Sequence, residues 1–172
     1  MSEKQHRLLA FRPVTQYKPG IIASFLRQCY AEILTSEPLH WKAEEAKWLE
    51  FDREVFGNPE TVGRCIFITC LGEEEIGFGS FDLRQRPELG IIGHNCVLPR
   101  FQGKGHGKRQ MLEILLRLKQ MGIKRARVTT SEHPFFVPAR KMYRGCGFQE
   151  TRKLVGGPDP RFKLVEFEIE LE

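Results

Sequence analysis

A glycine-rich turn in the middle of the chain carries the clearest chemical pattern in the sequence. Its glycines stand at alternate positions, with basic residues around them: Gly103, Gly105, Gly107, Lys104, Lys108 and Arg109. The turn lies between an apolar run that stops at Pro99 and a segment with helical periodicity. The first N–H groups of a helix lack intrahelical partners and carry partial positive charge, and glycine lets them approach an anion closely. The pattern predicts a phosphate-binding turn, and a glycine-rich turn without a ligand is the alternative.

The spacing of these glycines excludes two common phosphate-binding motifs. A Walker A loop needs G-x-x-x-x-G-K followed by Ser or Thr, and the dinucleotide fingerprint needs G-x-G-x-x-G. Residues 103–107 read G-x-G-x-G and satisfy neither motif. The surrounding residues must therefore indicate which phosphorylated ligand the turn would take.

Those residues resemble the pyrophosphate motif of the GNAT superfamily of acyl-CoA-dependent N-acyltransferases. The motif V-x-P-x-x-[QR]-x-x-G-x-[GA] is met at each fixed position by Val97, Pro99, Gln102, Gly105 and Gly107. A second family element, N-x-x-A-x-x-x-Y-x-x-x-G-F, is met by Ala139, Tyr143, Gly147 and Phe148. Its Asn position holds Phe136, so the contact that this Asn makes with the pantetheine arm or a water must be missing or made by another group.

The resemblance implies transfer of an acyl group, most often acetyl, from acetyl-CoA to a primary amine by direct attack in a ternary complex, without a metal. The N–H groups of residues 103–108 would hold the pyrophosphate, and the backbone of Cys96 and Leu98 would pair with the pantetheine arm. The residues expected to bind acetyl-CoA are Cys96, Val97, Leu98, Gln102, Gly103, Lys104, Gly105, His106, Gly107, Lys108, Ala139 and Tyr143. A basic group either reaches the 3′-phosphate or forms the solvated face of a short helix: Arg140, Lys141 and Arg144.

The resemblance also assigns the catalytic roles. Tyr143 occupies the family's general-acid position, where a hydroxyl could protonate the leaving thiolate. The strand position that carries an acidic base in some members is apolar Ile91, and His94 is the candidate base because its ordinary pKa suits the task. A structural His94 is an equal alternative, and Asp82 and Glu132 are weaker base candidates.

The elements that must position these residues follow from hydrophobic periodicity. We expect the order β-α-α-β-β-β-α-β-α-β-β in a single domain, residues 1–172. The predicted strands span 7–16, 64–71, 76–84, 89–98, 123–131, 148–155 and 162–171, and the predicted helices span 21–34, 41–56, a long segment ending near Gly122, and 138–144. This order suits the α/β (α+β) GNAT fold, a mixed and mostly antiparallel sheet of about seven strands flanked by about four helices.

Composition limits the expected cellular location and classes of partner, but it identifies no specific partner. The 172 residues carry a net charge of +5, which permits an anionic ligand. We expect a cytoplasmic protein, because no secretory signal or membrane span is evident and the five cysteines form no C-x-x-C pair. No nucleic-acid or membrane partner is expected, and the resemblance allows a homodimer.

Two other classes of function stay open at this stage. One is an acyl-CoA-binding or sensing module without activity on the same scaffold. The other is a basic nucleic-acid-binding domain, although no strand interleaves aromatic with basic residues on one face. The amine acceptor and the length of the acyl group are not indicated by the sequence.

Overall fold

A computed structural model describes residues 8–171 and places every strand in one sheet. The strands are β1 Leu9–Pro13, β2 Ile66–Leu71, β3 Glu74–Asp82, β4 Leu89–Ile92, β5 Cys96–Val97, β6 Arg125–Ser131, β7 Gln149–Leu154 and β8 Leu164–Glu170. Their order across the sheet is β1-β2-β3-β4-β6-β8-β7, and β5 lies beside β3. The strand pairs are antiparallel except for β4 with β6, so the predicted mixed, mostly antiparallel sheet is confirmed.

Helices cover both faces of this sheet. They are α1 Ile21–Cys29, α2 Ala31–Ser36, α3 Pro38–Trp41, α4 Glu44–Gly57, α5 His106–Gln120 and α6 Val137–Gly145. One face packs against α1 and α4 around Ile22, Leu26 and Trp48. The other face packs against α5 and α6 around Met111, Ile114 and Tyr143. The predicted order of elements is thus observed, although some predicted elements are divided into two.

Two predicted elements are interrupted in the structure, and a short helix is added. The helix expected over 21–34 divides at Tyr30, whose φ of −102° and ψ of 8° end α1 before α2 begins. The segment after it contains the short helix α3, which begins at Pro38, since proline is tolerated at a first helical position. The strand expected over 89–98 divides into β4 and β5, with residues 93–95 outside both strands.

The buried side of α5 is narrower than the sequence indicates. The buried positions are Gln110, Met111, Ile114, Leu115 and Leu118. Leu112, Leu116 and Met121 are apolar too, but they are 45%, 50% and 42% exposed. A straight helix has 3.6 residues per turn, so its apolar residues spread around the helix axis. One sheet face can therefore cover only part of them. Gly122, with φ of +74°, ends the helix as predicted.

Asp52 joins α4 to the start of α1. Its carboxylate is buried and accepts hydrogen bonds from the backbone N–H groups of Gly20, Ile22 and Ala23 at 2.7, 3.0 and 3.1 Å. A carboxylate is stabilised at a helix N-terminus because the helix dipole is positive there. This contact fixes the two helices that cover one face of the candidate site.

In the described part of the chain, no helix has the length and apolarity needed to cross a bilayer. All five cysteines are free thiols, and four of them are buried.

Candidate functional site

The sheet opens where β4 gives way to β5. β4 pairs in parallel with β6 only through residues 89–91 and 125–127. Beyond that point, among the described residues, β5 pairs only with β3. β6 pairs with β8 along its whole length, so in this part of the chain its other edge has no strand partner after residue 127. Two neighbouring strands therefore diverge, which leaves an opening between residues 96–97 and residues 128–131.

Two glycines let residues 93–97, here called the deflected strand, approach β3. A Cβ atom on Gly77 would collide with the carbonyl oxygen of Cys96, and one on Gly93 would lie 2.6 Å from Ser80 Oγ. Gly93 N–H donates to the Ser80 carbonyl at 3.0 Å, and Ser80 Oγ donates to the His94 carbonyl at 2.6 Å. The irregular segment 93–95 is thus held in place by hydrogen bonds to β3.

Gln110 holds the same segment from the other face, and sequence reasoning missed it. This fully buried residue of α5 donates through Nε2 to the Phe78 carbonyl at 2.8 Å and to Asn95 Oδ1, and its Oε1 accepts from Thr69 Oγ1 at 2.5 Å. One amide therefore joins α5 to β2, β3 and the deflected strand. A glutamine among apolar positions of an amphipathic helix was the available signal, since a buried amide needs partners.

The backbone of β5 determines which amide faces the opening. Leu98 N–H donates to the Ile76 carbonyl of the neighbouring chain segment at 2.7 Å, so it is already engaged within the sheet. Neighbouring residues of a strand direct their N–H groups to opposite edges. The N–H of Val97 is therefore directed to the opening, whereas the N–H of Leu98, expected with Cys96 to pair with the pantetheine arm, bonds within the sheet.

The turn before α5 exposes a series of backbone donors. Gly103 and Gly105 have φ of +72° and +84°, which L-residues rarely adopt, and Gly105 is the N-cap of α5. In residues 8–171, no protein group accepts a hydrogen bond from the N–H groups of residues 103–108. Gln102 Nε2 donates back to the Val97 carbonyl at 2.8 Å and so ties the turn to β5. The turn thus leaves backbone N–H groups available to an anion, and anion binding there stays a prediction.

Side chains around the turn add charge and one buried nitrogen. Lys104 Nζ donates to the Arg100 carbonyl at 3.1 Å and lies 5.6 Å from the centre of the Phe101 ring. Lys108 is exposed on the first turn of α5. Burial lowers the pKa of His106, as do Arg109 and Lys104, and its Nδ1 is buried without a protein partner. His106 therefore stands as a neutral imidazole beside the exposed N–H groups.

Tyr143 lies on the α5–α6 side of the sheet. Its ring packs against Phe148 and Phe167 at centroid distances of 5.9 and 5.7 Å. Burial raises the pKa of Tyr143 to about 12, and Cys146 adds to the shift. No group in the described chain accepts a hydrogen bond from its hydroxyl. Ala139, one turn earlier on α6, packs against the same core.

His94 lies on the opposite side of the sheet, facing α4. Its ring centre is 5.1 Å from that of Phe51. Burial lowers the pKa of His94, while the Glu44 carboxylate at the start of α4 acts to raise it. The imidazole is therefore neutral at physiological pH and able to accept a proton. His94 and Asn95 face opposite sides of the sheet, since Asn95 contacts α5 through Gln110.

The weaker base candidates are engaged in ion pairs. Arg84 Nε donates to Asp82 at 2.7 Å, and this pairing lowers the pKa of Asp82. Lys153 donates to Glu132 at 2.5 Å and lowers its pKa in the same way. A carboxylate with a lowered pKa accepts protons poorly, so neither suits general-base chemistry at neutral pH.

Two of the three basic residues proposed for the 3′-phosphate have protein partners. Arg140 donates to the carbonyl groups of Ser131 and His133, the second at 3.3 Å. Arg144 pairs with Glu150 at 3.1 Å. Lys141 is exposed and makes no ion pair within residues 8–171. Lys141 is thus the member of this group that can reach a phosphate without breaking a contact.

An aromatic cluster fills the place next to the family's Asn position. The Tyr30 ring lies 5.9, 5.0 and 5.7 Å from the rings of Trp41, Trp48 and Phe135, and Phe136 lies 5.3 Å from Trp41. Burial raises the pKa of Tyr30, and Cys96 and Tyr143 add to the shift. Tyr30 therefore has its hydroxyl in electrostatic range of the candidate acid, which helical periodicity in the sequence could not reveal.

A cavity of about 740 Å³ opens on the His94 side of the sheet. Its walls come from α4, from residues 60–66 and from the β3 and β4 strands, with His94, Gly93 and Ile91 at the deflected strand. Pockets for small ligands have volumes of roughly 300–1,000 Å³. This cavity is therefore large enough for a small acceptor beside the candidate base.

A separate polar cluster joins α2 and α3 to the loop between β7 and β8. Glu37, His40 and Asp159 have potential ligand atoms within 4.8 Å of one another. Arg161 Nη2 donates to Glu37 at 2.7 Å and to Asp159 at 2.6 Å, so a guanidinium supplies the positive charge of this cluster. Arg161 lowers the pKa of Asp159 to about 2. The ion pairs hold two loops together at the edge of the aromatic cluster.

Solved structures with the same fold are numerous. A GNAT-family protein from Desulfovibrio desulfuricans matches with a TM-score of 0.71 and 15% identity, over 96% of this chain and 99% of its own. Ard1 from Thermoplasma volcanium has a TM-score of 0.68 and 16% identity, over 94% and 97%. A Bacillus subtilis acetyltransferase, solved with CoA, has a TM-score of 0.54 and 18% identity, over 62% and 76%.

The sequence itself supports the same assignment. No curated protein sequence matches the chain. The acetyltransferase (GNAT) family, whose general reaction is acetyl transfer from acetyl-CoA, matches residues 26–148. Since that match spans most of the chain and the fold agrees with it, the chain belongs to the GNAT family of acetyltransferases.

Proposed function

We propose that this protein transfers an acetyl group from acetyl-CoA to a primary amine by direct attack in a ternary complex. The observation that carries the proposal is the opening between β5 and β6, with Tyr143 on one side of the sheet and His94 on the other. A thioester in this opening would have a proton donor beside its sulfur and a proton acceptor on the side from which the amine arrives.

The turn before α5 would hold the pyrophosphate of acetyl-CoA. Its N–H groups, residues 103–108, have no protein partner and lie at the positive end of a 15-residue helix. Lys104 and Lys108 add positive charge, and neutral His106 can donate or accept one further hydrogen bond. The known CoA complex of a structural neighbour supports this choice of ligand.

The edge of β5 would align the pantetheine arm. Val97 N–H is directed to the opening, so it can donate to an amide of the arm or to the thioester carbonyl. A donor aimed at a carbonyl oxygen stabilises the negative charge that develops there during acyl transfer. Cys96 and Leu98 would shape this edge by packing, since their side chains are buried against α1 and α4.

Tyr143 would hydrogen-bond to the departing sulfur and supply its proton. With a pKa of about 12, the hydroxyl stays protonated across the working pH range. Full transfer of the proton to a thiolate with an ordinary pKa near 8.5 would cost about 1.36 kcal/mol for each unit by which the tyrosine pKa exceeds the thiol pKa. Because burial also raises the pKa of a thiol, a desolvated leaving sulfur reduces that mismatch.

His94 would accept the proton that the attacking nitrogen loses. Burial keeps its imidazole neutral, and it borders the cavity that an acceptor can enter. Cys96 would take no covalent part, because burial raises the pKa of its thiol well above the ordinary value and a thiol is a weak nucleophile. Direct attack by the amine follows from these assignments.

Calorimetry with acetyl-CoA and a thiol-release assay across amine classes test this proposal. We expect saturable binding of acetyl-CoA and amine-dependent release of CoA. Binding without release for any amine would instead favour an acyl-CoA sensor. Absence of binding would remove the basis of the proposal.

A further inference from the structure

The cavity next to His94 contains charged groups that the acetyl-transfer chemistry does not use. Arg64 and Arg86 line it, and neither forms an ion pair with a carboxylate in residues 8–171. The third arginine, Arg84, is bound by Asp82 at 2.7 Å and lies in the field of Glu54. Two guanidinium groups therefore face the cavity without an anionic partner.

Both arginines lie near Cys65, which also lines the cavity. Burial raises the pKa of the Cys65 thiol, as does Asp82, whereas Arg64 and Arg86 act to lower it, so both guanidinium groups lie within electrostatic range of this cysteine. Cys65 precedes β2, and Arg86 lies in the connection between β3 and β4. The wall thus combines two positive charges from segments far apart in sequence.

The arginine wall and His94 lie near opposite ends of β4. Arg86 precedes that strand and His94 follows it. A strand rises about 3.3 Å per residue, so the first and last Cα atoms of this four-residue strand lie about 10 Å apart. Flexible arginine side chains can shorten this gap. A molecule with its nitrogen at His94 would therefore place its distal end within reach of the guanidinium groups.

We propose that the acceptor is a small primary amine that carries a carboxylate at its distal end. Arginine binds carboxylates through paired N–H donors, and an unpaired guanidinium in a concave site is available for such a contact. Glu54 and Glu60 also line the cavity and favour entry of the protonated amine. This inference rests on the proposed function for the role of His94, but binding of a carboxylate by the two arginines does not depend on catalysis.

Three amines with the same six-carbon chain isolate the distal charge: hexylamine, aminocaproate and hexamethylenediamine. Calorimetry should give a dissociation constant for aminocaproate at least tenfold lower than those for the other two. Replacing both arginines, Arg64→Ala with Arg86→Ala, should abolish this preference. Arg53→Ala is the matched control, because Arg53 is exposed on α4 and outside the cavity, and it should leave the preference intact.

The reversed variant Arg64→Glu with Arg86→Glu should shift the preference to hexamethylenediamine. Circular dichroism confirms that each variant is folded, which is expected since both arginines are exposed. Equal affinity for the three amines, no binding of aminocaproate, or a preference that survives loss of both arginines overturns the inference. Thiol release with acetyl-CoA is measured separately, so failure of the proposed function is recognised independently of these affinities.

Discussion

In the proposed function, Tyr143 and His94 act on the same opening from opposite faces of the sheet. Tyr143 packs in the core formed with α5 and α6, whereas His94 contacts Phe51 of α4. Their environments suit the two proposed roles, because burial keeps the phenol protonated and the imidazole unprotonated at neutral pH. A proton donor and a proton acceptor on either side of one reacting bond suit a displacement in which sulfur leaves as nitrogen attacks.

Replacing Tyr143 tests the proton donor. We expect Tyr143→Phe to lower kcat by about 100-fold, the lower range for loss of a general acid or base. The KM for acetyl-CoA and the calorimetric affinity should change little, because the pyrophosphate turn is untouched. Steady-state thiol release and calorimetry measure the two effects.

Tyr30→Phe is the control for this substitution, since it removes a second buried hydroxyl near the same opening. It should reduce kcat much less than Tyr143→Phe. A larger loss in Tyr30→Phe would transfer the proton-donor role to Tyr30.

The pH dependence of turnover tests His94. The pKa of His94 is lowered by burial, so its imidazole protonates only below the ordinary value near 6.5. Protonation removes the acceptor, and kcat/KM should therefore fall as pH decreases through this lowered pKa. His94→Ala should lose that acidic limb and have a lower plateau. A His94→Ala profile that keeps the same acidic limb would show that another group is the base.

At the scale of elements, the turn before α5 depends on two kinds of glycine. Gly105 has positive φ, while Gly107 lies within the first turn of α5 with no atom within 4 Å of its added Cβ. Gly105→Ala should destabilise the fold by about 1–2 kcal/mol through left-handed strain. Gly107→Ala should not lose stability, because alanine favours helix over glycine.

Both glycine substitutions should weaken acetyl-CoA binding, Gly107→Ala by roughly tenfold, or about 1.4 kcal/mol, because a methyl group would separate the exposed N–H groups from the pyrophosphate. Urea unfolding measures stability, and calorimetry measures binding. Unchanged affinity in Gly107→Ala would place the pyrophosphate away from this turn.

The amide of Gln110 is expected to stabilise the deflected strand. Gln110→Leu would leave Thr69, Asn95 and the Phe78 carbonyl without this partner. Each buried polar group left unsatisfied costs about 1–3 kcal/mol, so we expect a loss of at least about 2 kcal/mol in unfolding free energy together with a lower kcat. Gln120→Leu, on the exposed end of the same helix, should change neither. Equal stability of the two variants would contradict the role of Gln110.

At the scale of the whole molecule, the proposed function places the two substrates on opposite faces of the sheet. In that proposal α5 and α6 cover the side of the cosubstrate's sulfur, and α4 borders the cavity for the acceptor. We expect intersecting lines in two-substrate kinetics and no acetylated protein by intact mass, because buried Cys96 is a poor nucleophile. Cys96→Ala should keep most of its activity. Parallel lines or an acetylated Cys96 would indicate a covalent intermediate instead.

The sequence by itself determined the features that depend on neighbouring residues. Glycine spacing after Val97 and Pro99 sets the conformation of the pyrophosphate turn, and periodicity sets the order of strands and helices. These features are local because φ, ψ and side-chain alternation are defined within a few residues. The family resemblance rested on the same short-range patterns, which is why it could be identified without coordinates.

Only the tertiary structure decided which distant groups meet. Four features depend on packing between separate elements: the break between β4 and β5, the hydrogen bond from Leu98 N–H to the Ile76 carbonyl, the amide contacts of Gln110 and the position of Tyr30. So do the two unpaired arginines beside the cavity, which come from segments on either side of β2 and β3. Burial and charge at these positions are produced by neighbours far away in sequence, so no local pattern encodes them.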